Sequence, residues 1–337
     1  MRAKGINYDT GFFPGGESSR SIFEPDVVRR EMRIIADDLH CTAVRISGGD
    51  PERLTVAAEH AAAAGLEVWF APFPCELTPE RMLDLFTDCA ERAEDIRRRG
   101  TETVLVTGCE VSLFATGFLP GDDVYARIAA LTSGDPAVYA TFGDVLGKVN
   151  AFFAETVEAA RDRFGGRITY ASGPWERIDW TPFDIVSIDG YRAEENAGRY
   201  VEELRSHFTH GKPVAITEFG CCAYQGAAAR GGTGWMIADR ESDPPRLDGV
   251  YVRDEAEQSA YMRELLEIFE REGVDSAFWF TFAGYDLPHR PGDPVHDLDL
   301  AAYGVVKVLE NGHGTAYPDM AWEPKESFHT LAAAYAG

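Results

Sequence analysis

The strongest constraint on the fold is an alternation of short β-type runs with amphipathic helical stretches, kept up almost from end to end. Eight runs qualify as strands: KGINY (4–8), TAVRIS (42–47), EVWFAPF (67–73), TVLVTG (103–108), RITYAS (167–172), DIVSID (184–189), PVAIT (213–217) and SAFWFTF (276–282). Helical patterns fit 25–39, 139–164, 194–210, 254–272 and 325–336. Two more helices open on Asp50-Pro51-Glu52 and Thr78-Pro79-Glu80 and run to about Gly65 and Gly100. Each places a capping side chain, a proline at the first helical position, then an acid. Only the fifth connection, around Glu176 to Pro182, is too short for a full helix.

Eight strands joined by helices within 337 residues predict an α/β fold, a (β/α)8 barrel occupying residues 1–337 as a single domain. The competing architecture is a doubly wound open sheet. Its glycine-rich phosphate loop is missing, because the first strand runs into NYDTGFFPGG and neither GxGxxG nor GxxxxGK[ST] occurs. The long connections 111–138, 219–253 and 283–321 follow the fourth, seventh and eighth strands. In a barrel they would crowd the C-terminal face, where binding sites are built. Their Phe114, Phe118, Tyr224, Trp235 and Tyr285 suit either a cleft for flat apolar faces or the packing of the loops themselves.

The formal net charge of −24 repels phosphate backbones and anionic membrane surfaces, so neither nucleic acid nor membrane is an expected partner. No stretch approaches the ~18 apolar residues of a membrane helix. The cysteines at 41, 75, 89, 109, 221 and 222 form no CxxC or zinc-type spacing, and MRAKGINYDT contains no apolar signal segment. A reduced, cytoplasmic protein is expected, and the excess of Arg over Lys with abundant Ala hints at a GC-rich bacterial genome. Cys221 and Cys222 are expected to pack, and His296, Asp297 and Asp299 to serve in turns and at the rim. With no HxH on the first strand, neither metal nor cofactor is expected, and no GxSxG elbow occurs.

Polar groups at strand C-termini carry the chemistry of barrels. Here the fourth strand ends in Cys109-Glu110 and the seventh in Glu218-Phe219-Gly220. With ITEFG and TGCE in these places, the chain resembles the retaining glycoside hydrolases of clan A, the 4/7 superfamily. The resemblance implies a nucleophile at Glu218 and an acid/base at Glu110. It further implies an Arg beside the nucleophile (Arg45, in VRIS), a Tyr bonded to it (Tyr191, in IDGY) and an aromatic platform under the sugar (Trp279, in FWFTF). GINYDTG and the closing YGVV…WEPKESF share the family's look, and a weaker likeness points to bacterial relatives labelled abortive infection.

The chemistry agrees with the match. Retention needs two carboxyl groups ~5–5.5 Å apart, one attacking as the anion and one donating a proton. Arg45 would favour the ionised Glu218, and Glu110 would need its proton held more tightly. Cys109 stands where the family usually has an Asn that contacts the sugar 2-hydroxyl, and a thiol is a poorer donor. Asn7, Tyr8 and Asp9 at the end of the first strand are expected at the pocket, with Trp175, Glu176 and Asp286 as weaker candidates. The expected substrate is a small glycoside or oligosaccharide. A transglycosylase, a cyclase or isomerase using the same Glu pair, and a non-catalytic carbohydrate-binding or defence-related barrel are the alternatives.

Overall fold

The computed structural model describes residues 1–337, apart from the side chains at positions 15 and 139. Its main sheet holds eight parallel strands: β1 (Ala3–Asp9), β2 (Ala43–Gly48), β3 (Glu67–Pro72), β4 (Thr103–Cys109), β5 (Arg167–Ala171), β6 (Val186–Asp189), β7 (Val214–Phe219) and β8 (Ser276–Trp279). Neighbours pair in chain order, and β8 returns to β1. The remaining gap between β5 and β6 is bridged at Ser172 and Ile188, so the sheet nearly closes into the expected barrel.

Helices α1 (Pro25–Asp37), α2 (Pro51–Ala63) and α3 (Pro79–Arg98) fill the first three crossovers. The Asp50 cap forms, its carboxylate accepting from the N–H groups of Glu52 and Arg53. Thr78 makes no such bond. The fourth crossover departs from expectation. Part of the predicted loop 111–138 is helical, with a turn at Val111–Phe114, then α4 (Val124–Thr132) capped by Asp123, and α5 (Pro136–Arg161) capped by Asp135. The fifth has no helix, and Trp180 and Phe183 seal that side by packing edge to face. Helices α6 (Tyr200–His207), α7 (Glu255–Glu272) and α8 (Glu326–Tyr335) complete the ring.

Side chains alternate across each strand, so the barrel has two apolar layers. Val44, Ile46, Val68, Phe70, Leu105 and Ile216 face the helices, whereas Ala43, Trp69, Val104, Val106, Ala215 and Phe278 fill the interior. Trp69 and Phe278 meet there with ring centroids 4.7 Å apart. Gly5 makes room for them: a Cβ on it would lie 2.3 Å from the Phe278 ring. Below, Arg2 ties β1 to Glu67 and Asp275, which leaves the opposite, C-terminal end of the strands as the open mouth. Trp69→Ala would empty the plug on which the mouth rests and should cost about 3–5 kcal/mol, read as a lower urea midpoint at unchanged slope.

Candidate active site

Glu218 reaches the mouth through an irregularity. Ile216 faces the helices, and strict alternation would send Glu218 after it. The β6–β7 register slips between Ile188 and Asp189, so that Asp189 lies opposite Glu218 and Thr217 is the extra residue. Such a bulge re-aims a side chain. Gly220 follows because the backbones converge there: a Cβ would stand 2.5 Å from the Phe280 carbonyl oxygen.

Both oxygens of Glu218 are held. Arg45 on β2 donates through Nη1 to Oε1 at 2.7 Å, and the Tyr191 hydroxyl donates to Oε2 at 2.8 Å. Arg45 is itself aimed by Asn7, whose Oδ1 accepts from the same Nη1 at 2.8 Å while its Nδ2 donates to the Thr217 carbonyl at 2.9 Å. The Cys109 thiol lies 3.4 Å from both Glu218 Oε1 and Asp189 Oδ2. The sequence-predicted Glu218, Arg45, Tyr191, Asn7 and Cys109 thus form one contiguous cluster, in which Asn7 positions Arg45.

Glu110 arrives by a different device. The β4–β5 register shifts between Val106 and Cys109, with Gly108 at φ +95° and Glu110 left-handed at φ +43°, ψ +44°. That conformation costs a non-glycine residue about 1–3 kcal/mol and persists only where neighbours over-determine it. The neighbours are evident. Glu110 N–H donates to the Ala171 carbonyl at 3.0 Å, and Val111 N–H donates to the Tyr170 hydroxyl at 2.7 Å. Buried Glu176 accepts from Ser112 N–H, Gly173 N–H and the Tyr170 hydroxyl, and the Trp175 indole N–H donates to the Ser112 hydroxyl. Trp175 and Glu176 therefore brace the turn that carries Glu110. No group among the described residues donates to the Glu110 carboxyl itself. Burial, then the neighbouring carboxyl groups of Asp189, Glu218 and Glu176, hold its proton well above the usual carboxyl range.

Four expectations need correction. Tyr8 turns away from the mouth into a buried cluster, where its hydroxyl donates to Glu31 and accepts from Arg20. Trp279 is fully buried between barrel and helices, its ring edge-to-face with Phe219 and its indole N–H on the Tyr303 carbonyl, so it offers no face to a ligand. Asp286 pairs with Arg240 at 2.7 Å and ties the seventh strand's loop to the eighth's. Asp9 is spent locally, accepting from Gly11 N–H and the Ser19 hydroxyl, while burial raises it to about 6.

Two residues at the mouth escaped the sequence reading. Phe280 follows Trp279, stays partly exposed and stands edge-on to Tyr191 at 6.5 Å, so it is the ring that faces the site. The inward Phe278, two residues earlier, is the alternation signal that would have found it. Asp189, the other, is the buried carboxylate facing Glu218, and in IDGY it looks like an ordinary turn aspartate. Cys109, Asp189 and Glu218 bring ligand-type atoms within 4.8 Å of one another, a spacing a cation could bridge, but the Arg45 guanidinium already supplies positive charge there. Cys221 and Cys222 are fully buried free thiols, as packing residues would be. Asp297 and Asp299 bind Arg253 at the rim, while His296 bonds Asp293 on the surface.

No protein-family model matches the chain, and no curated protein does. Solved structures do match. A GH113 beta-1,4-mannanase aligns over 100% of both chains with a TM-score of 0.64 at 15% identity. The GH113 beta-mannanase AaManA from Alicyclobacillus acidocaldarius, in complex with ManMIm, aligns over 99% of this chain and 97% of its own, with a TM-score of 0.60 at 17% identity. A beta-glucosidase, 1317, aligns over 100% and 99% with a TM-score of 0.54 at 12% identity. The fold is therefore the (β/α)8 barrel shared by these clan A glycoside hydrolases. None of the three supports the abortive-infection label. No helix among the described residues is long and apolar enough to cross a membrane.

Removing the Tyr170 hydroxyl takes a donor from Glu176 and an acceptor from Val111 N–H. Tyr170→Phe should lower stability by about 1–3 kcal/mol, measured by chemical denaturation, while the more distant Glu218 contacts keep their geometry.

Proposed function

We propose that the protein is a retaining glycoside hydrolase, with Glu218 as nucleophile and Glu110 as acid/base. The observation that carries this reading is the unequal treatment of the two carboxyl groups. Glu218 accepts from a cation and a phenol, as an attacking anion should. Glu110 has no donor and lies buried near the Glu218 anion, which keeps its proton available. The substrate class is a small glycoside or oligosaccharide, admitted at a mouth bordered by Phe280, Tyr191 and Trp175.

In the first step an oxygen of Glu218 bonds to the anomeric carbon as the bond to the leaving oxygen breaks, and Glu110 gives that oxygen its proton. Glu218 loses its negative charge as Glu110 acquires one, so the net charge of the site is unchanged. Arg45 stays beside the resulting ester, and Tyr191 can follow the shifting charge on Oε2. In the second step the Glu110 carboxylate takes a proton from water, the water oxygen bonds to the anomeric carbon, and Glu218 leaves as the anion.

Glu218→Ala should lower turnover of an activated aryl glycoside by roughly 10³-fold or more. Azide should restore release of the phenol and yield a glycosyl azide of inverted configuration; wild-type turnover in the variant would exclude the assignment. Because Glu110 must be protonated in the free enzyme and its pKa is raised, kcat/KM should fall only as pH rises through a value above the ordinary ~4.3. In Glu110→Gln the part of that basic limb due to Glu110 should vanish for substrates whose leaving group needs no proton.

A further inference from the structure

Asp189 is the one carboxylate of the mouth to which the proposed double displacement gives no task. It is 3% exposed at the end of β6, with its backbone fixed by Asp189 N–H donating to the Ser172 carbonyl at 2.9 Å. The groups packed against it are Arg45 from β2, Cys109 and Glu110 from β4, Tyr191 beyond its own strand, and Thr217 and Glu218 from β7. The only cation among them, Arg45, makes its ion pair with Glu218. Asp189 Oδ2 meets the Cys109 thiol at 3.4 Å, and Oδ1 has no hydrogen-bond partner among the described residues. A buried carboxylate with a thiol and the Thr217 hydroxyl as its neutral neighbours, a cation already paired elsewhere and another carboxylate across the strand is poorly solvated as an anion.

We propose that Asp189 is a positioning residue that works in its protonated form: it packs against Glu218 as a neutral acid, so that Arg45 serves one anion instead of two. The electrostatics run the same way, burial first and the Glu218 charge second holding its proton well above the usual range, against weaker pulls from Arg45, Thr217 and Cys109. The consequence is a distribution of protons among three carboxyl groups about one guanidinium, with Glu218 ionised and Glu110 and Asp189 both protonated in the reactive state. Loss of the Asp189 proton would add a second anion beside Glu218 and draw Arg45 away from it. This inference rests on the glycosidase reading for its kinetic part only.

The test is Asp189→Asn in the full chain, since Asn has the shape of the neutral acid and cannot ionise. A raised folded pKa contributes stability that is complete below the unfolded value of ~3.9 and is lost as pH rises through the folded value. Wild type should therefore lose melting temperature relative to the variant as pH rises above about 4, the gap widening as for one proton. If the variant is instead the less stable protein at neutral pH, Asp189 is ionised in the fold and the proposal fails. That measurement needs no substrate. For the kinetic arm, kcat/KM for an aryl glycoside that wild type hydrolyses is compared against pH in wild type and in the variant. Its basic limb in kcat/KM should change from the loss of two protons to the loss of one. A hundredfold loss at every pH with folding intact, or an unchanged basic limb, would overturn the proposal. If wild type hydrolyses no glycoside while the stability gap appears as expected, the glycosidase reading falls and the protonated Asp189 stands.

Discussion

The mouth depends on one buried cation. Arg45 is 1% exposed, and removing a guanidinium from water costs several kcal/mol unless ionic and hydrogen-bond partners replace the solvent. Its Nη1 is shared by Glu218 and Asn7, and Asn7 reaches in turn to carbonyls of β7 and β8. The Asn7 carbonyl accepts from the Thr281 hydroxyl and from Phe282 N–H, just past β8. Four strands, β1, β2, β7 and β8, are therefore knit together where the nucleophile candidate is held. The same atoms hold the rim of the barrel and aim a carboxylate, so the position of Glu218 is as firm as the barrel wall.

Regular strands could not have delivered this arrangement. Period-two alternation fills the interior with Ala43, Trp69, Val106 and Phe278, a packed plug without chemistry. Each carboxylate reaches the mouth where the regularity breaks, Glu218 beside the extra residue Thr217 and Glu110 just past the shift at Gly108. The strain at Glu110 is borne by Tyr170 and Glu176, a buried phenol–carboxylate pair that fastens the next turn to β5. The irregularities and their braces make one unit, and the apolar plug beneath keeps it from collapsing inward.

This division explains what could be read from the sequence. The eight strands and most helices were legible because burial against helices writes a strong local pattern, and Asp50 announced its cap in three residues. Glu110 and Glu218 were legible as acids at strand ends, and Arg45 and Tyr191 by likeness to a family. The misreadings fall where local pattern and three-dimensional register part. Trp279 and Phe280 are adjacent in sequence, and only the register of β8 against a bulged β7 decides which ring faces the mouth. Tyr8 lies one residue from Asn7 on the opposite face of the same strand, committed to Arg20 and Glu31. Asp189 has no sequence signal of its own, because what distinguishes it is that the cation beside it, Arg45, is paired with Glu218. The α4 segment lay hidden in a loop assignment, although Asp123 supplies an ordinary cap.

Buried carboxylates elsewhere in the chain show how unusual the mouth is. At the rim, Asp297 is surrounded by His289 and Arg253, which outweigh its burial and hold it down to about 2. Asp299 pairs with Arg253 and with the buried Lys325, binding the loop after β8 to the start of α8. In the helix layer Glu31 takes Arg20, with the Tyr285 ring stacked 3.8 Å from that guanidinium. Glu176 has no cation but three hydrogen-bond donors. Burial still raises Glu176, whereas at Asp297, Asp299 and Glu31 the fold supplies what water would have supplied. Glu110 and Asp189 are denied it, and both sit within reach of Glu218, the one mouth carboxylate that is fully served. A chain with 32 basic residues against 56 acidic ones has spent its buried cations on the scaffold and a single one on the mouth. Scarcity of positive charge there works with burial to raise Glu110 and Asp189 above the usual carboxyl range, and carboxyl groups that hold their protons more tightly are what acid catalysis requires.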